Sequence, residues 1–152
     1  LGRKGGAVEL MSRRPVGYSG TPLAKKLGIS DGTHVYPIGA PPHYERLLAP
    51  VPPGVVVTTR LSKRVDVVHL FVSERALLDR QLTALRKGIR SNAAVWVSWP
   101  KQASKVPTDI TEGAIRSICL PLGFVDIKVC AVSDIWSGLK LVIRKELRVH
   151  DA

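Results

Sequence analysis

Lys101 stands where a charged side chain meets a strand end. It follows the apolar run 93–99, which closes on Trp99, and it precedes Asp109. An ammonium there, together with the amino end of a helix opened by Asp109, could bind an anion; equally, Lys101 is a loop lysine and Asp109 a cap. Asp134 and Trp136 sit in one turn with Ser133. Their chemistry is a carboxylate acceptor beside a flat indole, either a stacking lid over a ligand or a tryptophan closing the end of the core. The segment Gly39-Ala40-Pro41-Pro42-His43 puts an imidazole four residues beyond a strand-ending glycine. Ser19, Gly20 and Thr21 precede a helical pattern, as an anion-binding turn or simply a cap. Metal chemistry is not expected: His34, His43, His69 and His150 are dispersed, and no ligand spacing links them to Cys119 or Cys130. No nucleophile elbow or phosphate-binding loop is present, so no catalytic set is assigned. His69 lies inside an apolar run and reads as a hydrogen-bonded core residue.

These residues need elements to hold them. Residues 1–16 read as a flexible basic arm, and 17–152 as one domain. Thr21 is the expected cap, and Pro22 the first residue, of a two-turn helix ended by Gly28. A strand over 34–38 leads to a short helix opened by Pro41-Pro42 and running through Leu48. Residues 55–61 are β-branched and read as the next strand. The near-continuous apolar run 65–72 fits a strand covered on both faces. Ser73 is the expected cap of the longest helix, whose stripe is Leu78, Leu82, Leu85 and Ile89. A strand over 93–99 follows, then a helix capped by Asp109 with Glu112 completing a capping box. That helix buries Ile115, Ile118, Cys119 and Leu122 and stops at Gly123. Strands over 124–132 and 139–145 flank the turn 133–138 and pair antiparallel. Strands alternating with helices imply an α/β fold: a mostly parallel, six-stranded sheet, helices on both faces, and an antiparallel hairpin at the end. In such sheets ligands sit at the strand carboxyl ends. That rule selects Gly39, His43, Trp99, Lys101, Asp109, Asp134 and Trp136 as ligand-binding candidates.

Charge narrows the partners. The 152 residues carry 23 Lys and Arg against 12 Asp and Glu, a formal net charge of +11. Such a surface attracts polyanions, nucleic acid above all, because neutralised phosphates release counterions. The basic pairs are scattered, so a solvated basic face is the competing reading. Aromatic residues make up only 5%, too few for a base-stacking platform. An apolar fraction of 45% supports a packed core. No run is long and apolar enough for a membrane span, residues 1–10 do not read as a leader, and two cysteines are too few for a disulfide scaffold. A cytoplasmic location with reduced cysteines is expected.

From residue 65 onward the order of strand, long helix, strand, helix and hairpin resembles the end of a Rossmann-like methyltransferase. That family carries a glycine-rich turn after its first strand and a carboxylate after its second. The matching stretches here are Ile38-Gly39-Ala40-Pro41-Pro42-His43, with one glycine and two prolines that offer no amide, and Thr58-Thr59-Arg60, with no acid. A second resemblance covers nearly the whole chain after the arm, to a family of small bacterial proteins with no assigned activity. It rests on Gly17-Tyr18-Ser19-Gly20-Thr21-Pro22-Leu23-Ala24-Lys25-Lys26-Leu27-Gly28, on Trp99-Pro100-Lys101, and on Val125-Asp126-Ile127-Lys128-Val129 with Trp136-Ser137-Gly138-Leu139-Lys140. It implies a degenerate methyltransferase-like fold. The resulting expectation is a non-catalytic binding protein without a cofactor, taking an anionic small molecule or nucleic acid at the strand carboxyl ends. The alternatives are a diverged S-adenosylmethionine-dependent methyltransferase-like enzyme that kept a pocket, and a scaffold acting as a homo-oligomer.

Overall fold

The computed structural model describes residues 20–149; the arm expected over 1–16 lies outside them. The two most continuous apolar runs form the centre of the sheet. Strand β3 (Val67–Phe71) and strand β4 (Ala94–Pro100) are buried at every position, as strands covered on both faces must be. Strand β1 (His34–Ile38) pairs parallel with β3, and β2 (Val56–Val57) pairs parallel with β1. On the other side β6 (Trp136–Ile143) runs antiparallel to β4, and β5 (Phe124–Ala131) antiparallel to β6. The sheet has six strands in the order β2-β1-β3-β4-β6-β5, the α/β architecture expected.

Helices cover both faces. Helix α3 (Arg75–Gly88) and helix α4 (Glu112–Leu122) pack together on one face. They bury Leu78, Leu82, Leu85, Ile115 and Cys119 against Val68, Leu70, Val95 and Val97. The short helices α1 (Leu23–Lys26) and α2 (Tyr44–Leu48) cover the other face. There Leu23, Leu27, Tyr44 and Leu48 meet Val35, Val67, Phe71 and Trp96. Trp96 is fully buried, and its indole N–H donates to the Leu27 carbonyl at 3.0 Å. This bond ties the end of α1 to the middle of the sheet. Among the described residues, no helix is long and apolar enough to cross a membrane.

Several boundaries differ from the sequence expectation, each for a local reason. Pro22, not Thr21, is the N-cap of α1, and it makes no side-chain cap bond. Helix α2 begins at Tyr44, beyond the two prolines, because His43 takes a left-handed conformation at its start. The strand expected over 55–61 contracts to Val56–Val57. Thr58 N–H still donates to the Val35 carbonyl, but the Thr58 hydroxyl and the Arg60 backbone then close on each other and turn the chain off the edge. Strand β6 starts at Trp136 instead of residue 139, since Trp136, Ser137 and Gly138 pair with Pro100, Trp99 and Ser98.

The helix caps have exchanged partners. Ser73 does not cap α3; Glu74 holds that position, without a side-chain bond. The Asp109 carboxylate accepts from Arg75 N–H at 2.8 Å, so it serves the first turn of α3 instead of the helix that follows it in sequence. Thr108 and Asp109 both bond back to the Ser73 carbonyl, which draws this loop across to α3. Thr111 caps α4, its hydroxyl accepting from Ala114 N–H at 3.0 Å. Glu112 pairs with Arg116 at 2.9 Å instead of completing a capping box. Loss of this cap should be measurable. Thr111→Ala is expected to lower the unfolding free energy by about 1 kcal/mol, and Ser73→Ala by no more than about 0.5 kcal/mol, in urea titrations followed by circular dichroism. The opposite ranking would show that Ser73 is the working cap.

Candidate functional site

Strand β1 delivers the chain to Gly39 at its carboxyl end. Gly39 has φ +66°, and a Cβ built there would stand 2.7 Å from the Phe71 carbonyl oxygen. Glycine is required twice over, by backbone conformation and by the closeness of β3. Pro41, Pro42 and His43 then carry the chain to α2. His43 is one of two non-glycine residues with positive φ among those described, a conformation that histidine tolerates better than most residues.

The turn between β5 and β6 faces this segment. The Ser133 hydroxyl accepts from the N–H groups of Ile135 and Trp136 at 3.1 and 3.2 Å. Lys101 N–H donates to the Ile135 carbonyl at 2.7 Å, pinning the turn to the end of β4. The Trp136 ring meets Phe71 edge-on, with centroids 5.1 Å apart. Between the two turns lies a cavity of about 470 Å³. Pro41, Pro42, His43, Arg46 and Leu47 form one wall, and Ser133, Asp134, Ile135 and Trp136 the other. Its walls are mostly apolar, with a carboxylate, a guanidinium, an imidazole and a hydroxyl at defined places, which is the usual composition of a ligand site.

A buried polar chain runs from α2 into the sheet. The Tyr44 hydroxyl lies 2.7 Å from His69 Nδ1, and the Ser98 hydroxyl 2.7 Å from His69 Nε2. A neutral imidazole donates through one nitrogen and accepts through the other, so it satisfies both hydroxyls. His69 and Ser98 are fully buried, and the imidazole stacks on Phe71 at 4.2 Å. Burial pushes the His69 pKa down to about 3. Burial also raises the Tyr44 phenol, with Glu45 adding to the effect. The ring is therefore the hydrogen-bonded core residue expected from the sequence.

Four of the sequence-selected residues converge: Gly39 at the turn, His43, Asp134 and Trp136 on the cavity walls. Gly39 turns the chain toward the cavity without lining it, and the other three selected residues lie away from it. Trp99 is buried in the core. Lys101 contributes its backbone to the turn, and Asp109 is bonded to the start of α3. Of the proposed anion turn, Ser19 lies outside the described residues. Gly20 has φ +86°, and Thr21 lines a separate cavity with Lys25, Lys26 and Lys128. Arg46 and Leu47 were not selected from sequence, and their only signal was position on the helix after the proline turn. Cys119 and Cys130 are free thiols. Burial pushes Cys119 up to about 11, with Asp126 adding to it, and raises Cys130. Among the described residues, no group of three or more His, Cys, Asp or Glu could hold a metal ion.

No family model matches the chain, and no curated protein matches its sequence. Solved structures do. A Sulfolobus solfataricus protein assigned as a type 11 methyltransferase superposes with TM-score 0.60 at 11% identity, covering 84% of this chain and 93% of that one. The M1A22 tRNA methyltransferase of B. subtilis superposes with TM-score 0.55 at 11% identity, covering 81% of this chain and 65% of the other. The fold is that of the Rossmann-like methyltransferases. The expectation of a non-catalytic binding protein is corrected by this result, since the chain shares its framework with methyltransferases. Of the readings made from sequence, the methyltransferase-like alternative is the one favoured.

The buried imidazole gives this face a pH signature. The unfolded chain takes up the His69 proton below about pH 6.5, whereas the folded chain refuses it down to about pH 3. Stability is therefore complete above pH 6.5 and falls as pH drops from there toward 3. Urea unfolding as a function of pH should show this acid limb. His69→Gln, which keeps hydrogen-bonding capacity without titrating, should flatten it. An unchanged limb in the variant would assign the acid sensitivity to other groups.

Proposed function

We propose that the chain is a diverged S-adenosylmethionine-dependent methyltransferase-like enzyme whose pocket lies between the Gly39 turn and the Ser133–Trp136 turn. The carrying observation is the cavity of about 470 Å³ at the carboxyl end of β1, where open α/β sheets bind ligands. The fold shared with two methyltransferases supports the same reading.

The residues present fit such a cofactor, but with its contacts moved. The segment after β2, Thr58-Thr59-Arg60, offers no carboxylate for ribose hydroxyls. Asp134 supplies one from the opposite wall. Trp136 offers a flat surface for a purine, and the Arg46 guanidinium suits an amino-acid carboxylate. When bound, S-adenosylmethionine supplies an electrophilic methyl group on sulfur. The chain does the rest. Pro41, Pro42 and Leu47 exclude water from one side of the pocket. His43, on the cavity wall, would take the proton that an acceptor hydroxyl or amine releases. The basic surface suits a polyanionic acceptor, and the substrate of the B. subtilis relative is tRNA. The strings at 17–28 and 125–140 support membership of the small bacterial family they resemble. The free thiols support a cytoplasmic setting.

Calorimetric titration of the full chain with S-adenosylmethionine and S-adenosylhomocysteine, in high salt to screen nonspecific attraction, tests the reading. Saturable binding is expected, weakened about tenfold by Asp134→Asn, which removes a charged acceptor. Absence of binding, or full affinity in Asp134→Asn, would overturn it.

A further inference from the structure

A second cavity opens at the far end of the sheet, beside the amino ends of β3 and β4. Its volume is about 650 Å³. Lys63, Arg86, Lys87 and Arg90 line it, and among the described residues no carboxylate does. Two of these cations are occupied in holding the wall. Arg90 Nη2 pairs with the Asp66 carboxylate, and its Nη1 donates to the carbonyls of Lys63, Arg64 and Val65. Backbone and guanidinium contacts hold the Asp66 carboxyl below its usual range, although burial works against this. Lys63 Nζ donates to the Ile89 carbonyl at 3.1 Å.

Arg86 differs. Its Nε is buried and has no hydrogen-bond partner, the single side-chain nitrogen or oxygen of this kind among the described residues. Its guanidinium lies against Gly123, where a Cβ would come within 2.9 Å of Nε and 3.4 Å of Nη2. The helix-ending glycine makes room for it. A buried charged donor without an acceptor is costly, and native proteins rarely leave one so. Lys87, one residue on, is exposed at the cavity mouth.

We propose that this cavity binds an organic phosphate monoester, its anion held by Arg86 and Lys87. A guanidinium fork with an adjacent ammonium suits a dianionic phosphate better than a single carboxylate. The volume exceeds that of a bare phosphate. Ile89, Ile143, Leu147 and Val149 provide an apolar wall for the carbon portion, and the Val149 N–H bond to the Ser91 hydroxyl at 2.8 Å holds that wall closed. The site is separate from the carboxyl-end pocket, so it stands whether or not that pocket takes a methyl donor.

The test is calorimetric titration of the full chain with adenosine monophosphate, glycerol 3-phosphate and uncharged adenosine at matched ionic strength. The phosphate esters should bind in a manner that Arg86→Gln weakens, and any binding of adenosine, at the carboxyl-end pocket, should be unchanged by that substitution. Binding of both esters assigns the affinity to phosphate, and binding of the nucleotide alone, when Arg86→Gln weakens it, adds its base to the apolar wall; both results support the site. Arg86→Gln should weaken binding about tenfold or more. Arg80→Gln, an equal loss of charge on the exposed face of α3, should leave it unchanged. Since Arg86 Nε has no hydrogen-bond partner among the described residues, the Arg86→Gln variant should melt like the parent, and Lys87→Gln offers a second reading with a smaller loss. No binding up to about 10 mM, or equal weakening in Arg86→Gln and Arg80→Gln, would overturn the proposal.

Discussion

The carboxyl end of the sheet is organised by one backbone contact. Gly39 rests against the carbonyl of Phe71, closer than any side chain would allow. That approach sends the chain after β1 over the end of β3 and delivers Pro41, Pro42 and His43 to the wall of the cavity. Phe71 in turn carries the His69 ring on one side and the Trp136 edge on another. The same residue thus fixes one turn through its backbone and supports the other through its ring. Tyr44, anchored to His69, then holds α2 at the angle that brings Arg46 and Leu47 to the cavity.

The chemistry available at this end follows from which groups are free to act. His69, Tyr44 and Ser98 are a Ser-His-Tyr chain by composition, yet burial keeps the imidazole neutral and both hydroxyls committed. They position; they do not react. The groups that face the cavity are Asp134, Arg46, His43 and the Trp136 ring. On the proposed reading, the framework lacks an acid after β2 and Asp134 on the hairpin turn takes its place. That view replaces the idea of an inert binding module.

Much of the architecture was legible in the residue pattern because strong periodicity and full burial coincide. The runs at 65–72 and 93–99 announce central strands, and the Leu78, Leu82, Leu85 and Ile89 stripe announces α3. Gly28 and Gly123 mark helix ends, and both have positive φ. Local rules failed where a tertiary bond took the residue they relied on. Asp109 reads as the cap of the next helix, but the bonds from Thr108 and Asp109 to Ser73 commit it to α3. Residues 55–61 have strand propensity, but only Val56 and Val57 pair as a strand. At the site, Gly39, His43, Asp134 and Trp136 were legible from the strand-end rule alone. Arg46 was not, because nothing in the sequence says which face of a five-residue helix looks inward. The amino-end cavity was invisible for a similar reason: Lys63, Arg86 and Ser91 meet only once β3, α3 and β4 are folded.

The account depends most on the contact between Gly39 and Phe71, and Gly39→Ala probes it directly. A Cβ at 2.7 Å from a backbone oxygen, on a residue with φ +66°, should destabilise the fold by about 2–3 kcal/mol in urea unfolding, with binding of S-adenosylmethionine lost in parallel. A variant with parental stability and parental binding would contradict the account, because the turn would then not be seated on β3 at all.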